Sequence, residues 1–230
     1  MDLLNMPNML IDGQLSDGEQ QFPVINPYTQ EKISDAPNAS CEQIHRALES
    51  AYNRKTVLSG EQRAAILSKI AWRIDDKKEE FAHCITVESG ICIKQSRYEV
   101  QRAITVFKEA AEVAKIIDTQ DLTSVYSCAD DKVKLQVLSE PLRLVVGITP
   151  FNHPLNQVAH KVAPAIAAGT NIVLKPSEKT PLTALKLGEI ICDIIPPGMV
   201  NIITGYPVQE VVQQLVAYPG VELVTFTGGV

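Results

Sequence analysis

Two apolar runs separated by a helix-period segment constrain this chain more than anything else in it. Leu144 to Glu178 reads LVVGITPFNHPLNQVAHKVAPAIAAGTNIVLKPSE. A β-type run, Leu142–Thr149, breaks at Pro150, and a helical pattern follows from about Pro154 to Ala168, closed by Gly169. A second apolar run, Asn171–Lys175, stops at Pro176. Strand, crossover helix, strand forces a parallel sheet buried on both faces, and ligands of such sheets bind beyond the carboxyl ends of the strands. Those ends carry Pro150-Phe151-Asn152-His153 and Lys175-Pro176-Ser177-Glu178.

The same alternation continues downstream. Val200–Thr204 and Glu222–Phe226 read as further strands, and Leu182–Ile195 and Val208–Ala217 as the helices between them. The fold class is therefore α/β, a doubly wound, Rossmann-like parallel sheet. Upstream the pattern differs. Met9-Leu10-Ile11 runs into the turn signal Asp12-Gly13, and Phe22–Ile25 and Glu31–Ile33 flank a turn at Asn26-Pro27. Such short strand pairs are marginal alone, so this arm is expected to drape over something.

From Ser40 the period becomes helical. Ser40-x-x-Gln43 and Ser59-x-x-Gln62 are capping boxes, each followed by an apolar stripe. A third helix is expected over Lys78–Ser89, ended by Gly90. A fourth is expected from about Lys94 to Asp118, with Ala103, Phe107, Ala110, Ala114 and Ile117 inward. Trp72 is expected to pack in the core or between helices. Between Thr123 and Glu140 alternation returns, around a turn at Asp130-Asp131. This protruding β-ribbon is either an oligomerisation element acting by strand addition or an ordinary hairpin.

Composition excludes several classes. A net charge of −6 gives no general attraction to nucleic acid or anionic membrane. No stretch has the roughly 18 apolar residues of a membrane span, and no signal peptide is visible. Cys41, Cys84, Cys92, Cys128 and Cys192 are odd in number and lack C-x-x-C pairing, which suits reduced thiols in a cytoplasm rather than disulfides or a metal site.

Asn152 is the first chemical candidate. A side-chain amide is an uncharged donor that can stabilise a transient oxyanion; equally, Asn152 can be a turn residue bonded to its own backbone. Glu178 is the second. A carboxylate at this strand end can accept from ribose hydroxyls and repels a 2′-phosphate, by about 4 kcal/mol at about 4 Å, which favours NAD over NADP. The alternative is a solvated Lys175–Glu178 pair. The G-x-G-x-x-G fingerprint is absent.

TPFNHP, AGTNIVLKPSEKTPLTAL, PPGMVNIITG and VTFTGG, in that order and spacing, resemble the aldehyde dehydrogenase superfamily. MLIDGQ and INPYTQEKI resemble its opening arm, and SEPLRLVVGITPFN its return from the oligomerisation ribbon. The resemblance implies NAD-dependent oxidation of an aldehyde to the acid. It makes Asn152 the oxyanion-hole amide, and gives the adenine ribose to Lys175 and Glu178, with Ser177 between them. Thr149, Pro150 and Phe151 would line the nicotinamide side, and Gly205, Thr227, Gly228 and Gly229 the adenosine and diphosphate. Residues 1–122 become an arm and helices packed on the cofactor domain, 123–141 the oligomerisation ribbon, and 142–230 an incomplete NAD-binding domain, with a homo-dimer or homo-tetramer as the expected complete assembly.

Two departures matter. Gly229 stands where the superfamily usually has serine, so a hydroxyl contact to the diphosphate is lost. None of the five cysteines stands in a matching context, so the nucleophile and general base are expected later than Val230, and the chain alone is expected to be inactive with an exposed sheet edge. A catalytically dead nucleotide-binding module and one half of a split enzyme remain the alternatives. His153, Asn156, Gln157 and His160 form a polar face after Asn152, which suggests a polar or anionic aldehyde bound by His153 and Gln157. The stretch FNHPLNQVAHK is similar to phosphonoacetaldehyde-type dehydrogenases; His153 and His160 can equally be structural.

Overall fold

The computed structural model describes residues 7–117 and 140–228. The chain opens with a hairpin of β1 (Met9–Ile11) and β2 (Gln14–Ser16), turning through Asp12 and Gly13 at φ 53° and 73°. A second hairpin, β3 (Gln20–Ile25) and β4 (Lys32–Asn38), forms its own two-stranded sheet. Its turn closes because the Asn26 side-chain oxygen accepts the backbone N–H groups of Tyr28 and Thr29 at 2.9 and 3.1 Å.

Four helices follow: α1 (Cys41–Asn53), α2 (Gly60–Asp76), α3 (Lys78–Ser89) and α4 (Ile93–Ile117). Both capping boxes form, with Ser40 and Ser59 each accepting from the third helical N–H and each glutamine returning the bond. Each cap contributes about 1 kcal/mol. Helix α3 ends at Gly90 with φ 76°, where a Cβ would meet Pro27 Cγ at 2.9 Å.

Two expectations here are corrected. Trp72 is 63% exposed rather than packed. The buried stripe of α2 is Leu67, Ile70, Ala71 and Ile74, and at about 100° per residue position 72 falls on the opposite side. In α4 the inward face is Val100, Ala103, Ile104, Phe107, Ala111 and Ala114; Ala110 is only partly buried and Ile117 is 40% exposed. Ala110 and Ile117 are also three-residue steps from Phe107 and Ala114, but at about 100° per residue they fall at the edge of the buried stripe, whereas Ala111 falls near its centre.

The α/β part comprises β5 (Leu144–Ile148), α5 (Asn156–Ala168), β6 (Asn171–Lys175), α6 (Leu182–Ile191), β7 (Val200–Ile202), α7 (Val208–Val216) and β8 (Leu223–Phe226). Helix α6 stops four residues short of Ile195, because Pro196 and Pro197 disfavour helical backbone before them. The six-stranded sheet has the order β2-β1-β7-β6-β5-β8. Strands β7, β6, β5 and β8 are parallel, and β1 joins antiparallel to β7 through Leu10 and Ile202. The sheet is therefore mixed, and the amino-terminal hairpin supplies its far edge. Every residue of β5 and β6 is buried, as a strand covered on both faces requires. At the other edge β8 pairs, among the described residues, only with β5, and Leu223, Val224 and Phe226 are 48%, 40% and 63% exposed.

The helices and the sheet share one apolar core. Arg63 of α2 donates through Nε to the carbonyl of Ala167 at 2.9 Å, which satisfies an end of α5 that has no partner of its own. Gly147 lets α5 lie close on β5, since a Cβ there would meet Leu174 Cδ1 at 2.9 Å and Lys161 Cδ at 3.3 Å. The expected ribbon, apart from Glu140 and Pro141, lies outside the described residues.

Candidate active site

The strand order creates a topological switch point. From β5 the chain steps outward to β6 and β7 on one side, then returns to lay β8 on the other side. A crevice opens beyond the carboxyl end of β5, where such sheets bind ligands. Thr149 N donates to Lys175 O at 3.2 Å and Thr227 N to Ile148 O at 3.1 Å, so the ends of β6, β5 and β8 meet there.

Asn152 is exposed in the loop between β5 and α5. Among the described residues its amide makes no hydrogen bond, to its own backbone or elsewhere. Phe151 is 51% exposed, with Lys179 Nζ 4.7 Å from its ring centroid, and its carbonyl accepts the Thr180 hydroxyl at 3.5 Å. These contacts join the loop after β5 to the loop after β6. Thr149 Oγ1 is buried with no partner among the described residues.

Lys175 is 1% exposed; its Nζ donates to Pro176 O at 3.0 Å and lies 3.8 Å from Glu178 Oε2. Burial lowers the Lys175 pKa, and Glu178 works against that shift. The Glu178 side chain is 29% exposed, so the buried ammonium sits behind a half-buried carboxylate. Ser177 is buried and its hydroxyl accepts from Lys179 N at 3.3 Å, which commits it to its own turn. Gly205 closes β7 against α7, where a Cβ would meet Val211 Cγ2 at 2.7 Å. Gly228 adjoins the Phe226 ring, 2.7 Å from an added Cβ. Gly229 lies outside the described residues. Between the β3–β4 hairpin and these loops is a cleft of about 580 Å³, lined by Pro27, Gln30, Phe151, Glu178 and Lys179 among others.

The polar face expected after Asn152 divides. His153 Nδ1 is 3.1 Å from Glu99 Oε2, so its ring is tied to α4. Asn156 is buried with Oδ1 unpartnered among the described residues, and Gln157 is half-buried. His160 lies away from them, at the rim of a groove of about 340 Å³ between α5 and β8. Burial lowers its pKa, with Arg102 and Lys161 acting in the same direction.

Three charged groups escaped the sequence reading. Lys161 is 6% exposed and donates to Thr225 Oγ1 at 3.1 Å and Thr227 Oγ1 at 2.8 Å, with burial lowering its pKa. Thr227 therefore engages a buried ammonium. Glu99 of α4 accepts the N–H groups of Leu155 and Asn156 through Oε1, at 2.9 and 3.1 Å. Glu88 of α3 accepts Leu182 N at 2.8 Å and Thr183 N at 3.0 Å, and also the Thr183 hydroxyl. Each carboxylate caps a crossover helix whose own N-cap residue, Leu155 or Pro181, makes no side-chain cap. The available signal was a charge on a helix face that otherwise had to be apolar.

Of the described cysteines, Cys41 and Cys92 are exposed, Cys192 is half-buried and Cys84 is buried. Burial pushes the Cys84 thiol up, away from thiolate character. Beyond the ends of β5 and β6, the described residues offer an exposed amide without a partner, a half-buried carboxylate backed by an ammonium, and a buried hydroxyl without a partner. These suit a substrate oxyanion and the ribose of a dinucleotide.

Residues 14–230 match the family model described as the aldehyde dehydrogenase family. The lactaldehyde dehydrogenase of Methanocaldococcus jannaschii is 39% identical over 96% of this chain and 48% of its own length. The 3-sulfolactaldehyde dehydrogenase of Priestia aryabhattai is 34% identical, over 96% of this chain and 46% of its own. The crystal structure of Staphylococcus aureus betaine aldehyde dehydrogenase in complex with NAD+ superposes with a TM-score of 0.89 at 30% identity, covering 97% of this chain and 45% of that one. The chain thus spans about half the length of these relatives.

Proposed function

Because the chain belongs to the aldehyde dehydrogenase family, we propose that it is the cofactor-binding part of an enzyme that oxidises a polar or anionic aldehyde to its acid with NAD. The supporting observation is the juxtaposition at the switch point of the Asn152 amide and the Lys175–Glu178 pair, on neighbouring loops joined through Phe151. The relatives named above are dehydrogenases of lactaldehyde, 3-sulfolactaldehyde and betaine aldehyde, all of them polar aldehydes.

In this reading the aldehyde carbonyl oxygen lies against the Asn152 NH2. A nucleophile adds to the carbonyl carbon, and the charge collects on that oxygen, where the amide N–H stabilises it. Being neutral, the amide does so without protonating the nucleophile. The bound dinucleotide supplies the acceptor for the hydride leaving the same carbon. Water then completes the acid, so that aldehyde, NAD+ and water give acid, NADH and a proton. Glu178 would accept from the ribose hydroxyls, with Lys175 holding that carboxylate in place, and Thr149, whose buried hydroxyl has no partner among the described residues, would stand at the nicotinamide end. The nucleophile and the general base are assigned to no residue of this chain.

Two measurements test the proposal. NAD titrated into the 230-residue chain is expected to bind, while aldehyde-dependent NADH formation by that chain stays undetectable. In the complete enzyme, Asn152→Ala is expected to lower kcat by about 10²–10³, the usual effect of deleting one oxyanion donor. Turnover by the isolated chain, or an unaffected kcat, refutes the assignment.

A further inference from the structure

We propose that Glu99 is a positioning residue for Asn152: its buried carboxylate, delivered from α4, fixes the loop from which that amide projects. The inference rests on the reading of Asn152 as the oxyanion donor. The Thr149–Leu155 loop is held at its start by Thr149 N, bonded to Lys175 O at 3.2 Å. Its other end is held by one side chain. Glu99 Oε1 takes the N–H groups of Leu155 and Asn156, and Oε2 pairs with His153 Nδ1 at 3.1 Å. Asn152 precedes His153 directly and follows Phe151, whose carbonyl is bonded to Thr180. Both neighbours of the donor are thus tethered, while the donor's amide makes no hydrogen bond among the described residues.

Burying a carboxylate at 2% exposure is costly unless it is paired, and two backbone N–H groups and the His153 ring pair this one. Capping α5 alone would require only Oε1. The second oxygen instead reaches into the loop, 54 residues away in sequence, and holds the residue beside the donor. A catalytic donor must be kept within about 0.5 Å of its productive position by groups of this kind. A misplacement of about 1 Å costs up to a hundredfold in rate.

The test uses a double-mutant cycle in the complete enzyme and NMR on the 230-residue chain. Glu99→Ala is expected to lower kcat by about tenfold to a hundredfold while changing the KM for NAD by less than about twofold. In an Asn152→Ala background the same substitution is expected to have no further effect on kcat, since the group it positions is gone. Glu99→Gln keeps an acceptor for the α5 N–H groups and is expected to recover most of the loss. In the 230-residue chain, Glu99→Ala is expected to speed amide exchange at Leu155 and Asn156 by about tenfold and to move the Asn152 side-chain NH2 signals toward random-coil shifts. Equal kcat losses with and without Asn152, or Asn152 signals unchanged by both Glu99 variants, overturn the positioning role. If Asn152→Ala alone leaves kcat intact, the oxyanion reading fails, and the NMR arm still decides whether Glu99 orders the loop.

Discussion

Replacing Glu88 by glutamine gives the sharpest physical test of how this fold is held. Glu88 is 1% exposed and caps α6 with both oxygens. Burial pushes its carboxyl up to about 7; the donors from Thr183 and Leu182 oppose the shift and Glu99 adds to it. The folded pKa therefore lies above the unfolded value of about 4.5, and the folded protein holds the extra proton between them. Stability from this group is fully present below about pH 4.5 and is lost as pH rises through about 7. The gap corresponds to about 3 kcal/mol. Glutamine cannot titrate, but its NH2 faces either Leu182 N–H or Thr183 N–H, a donor against a donor, costing about 1–3 kcal/mol. The variant should be less stable than the parent near pH 5 and about equal to it, or more stable, near pH 8. Urea midpoints measured across that range supply the difference, and subtracting the two curves removes every other titrating group. Parallel curves would mean that Glu88 keeps an ordinary pKa, and the argument from burial would be wrong.

Three further outcomes follow from named contacts. Glu178→Gln removes the half-buried carboxylate and should weaken NAD by about tenfold while improving NADP relative to it, read by titrating both dinucleotides; an unchanged ratio counts against the ribose assignment. Gln157→Leu in the complete enzyme should lower kcat/KM for an anionic aldehyde by about tenfold or more and for a neutral one far less, and equal losses would count against a polar substrate wall. Trp72→Ala, on the exposed side of α2, should shift the unfolding free energy by no more than about 0.5 kcal/mol in urea melts.

Local signals were legible in the sequence wherever one stretch of chain supplies both partners. Ser40 with Gln43, Ser59 with Gln62, and Gly90 and Gly169 as helix ends lie within a turn of what they satisfy. The four parallel strands were readable from apolar runs closed by proline or glycine, and the positions of Asn152, Lys175 and Glu178 at strand ends followed from that. Long-range pairing was not legible. β1 joins β7 through residues about 190 positions apart, Glu88 meets Thr183 at a separation of 95, and Lys161 meets Thr227 at 66. Nothing near those residues announces the partner. Trp72 differs for another reason: its residue type argues for the interior, but the phase of Leu67, Ile70, Ala71 and Ile74 turns position 72 outward.

The two carboxylates from α3 and α4 also bear on how this protein can be taken apart. The crossover helices α5 and α6 cannot complete their own first turns; the missing acceptors arrive from chain made 56 and 94 residues earlier. An excised strand-helix-strand unit would begin both helices with bare N–H groups. A graft of this α/β unit onto another scaffold therefore has to carry α3 and α4 with it. By the same logic, the loops after β5 and β6 owe part of their shape to those docked helices.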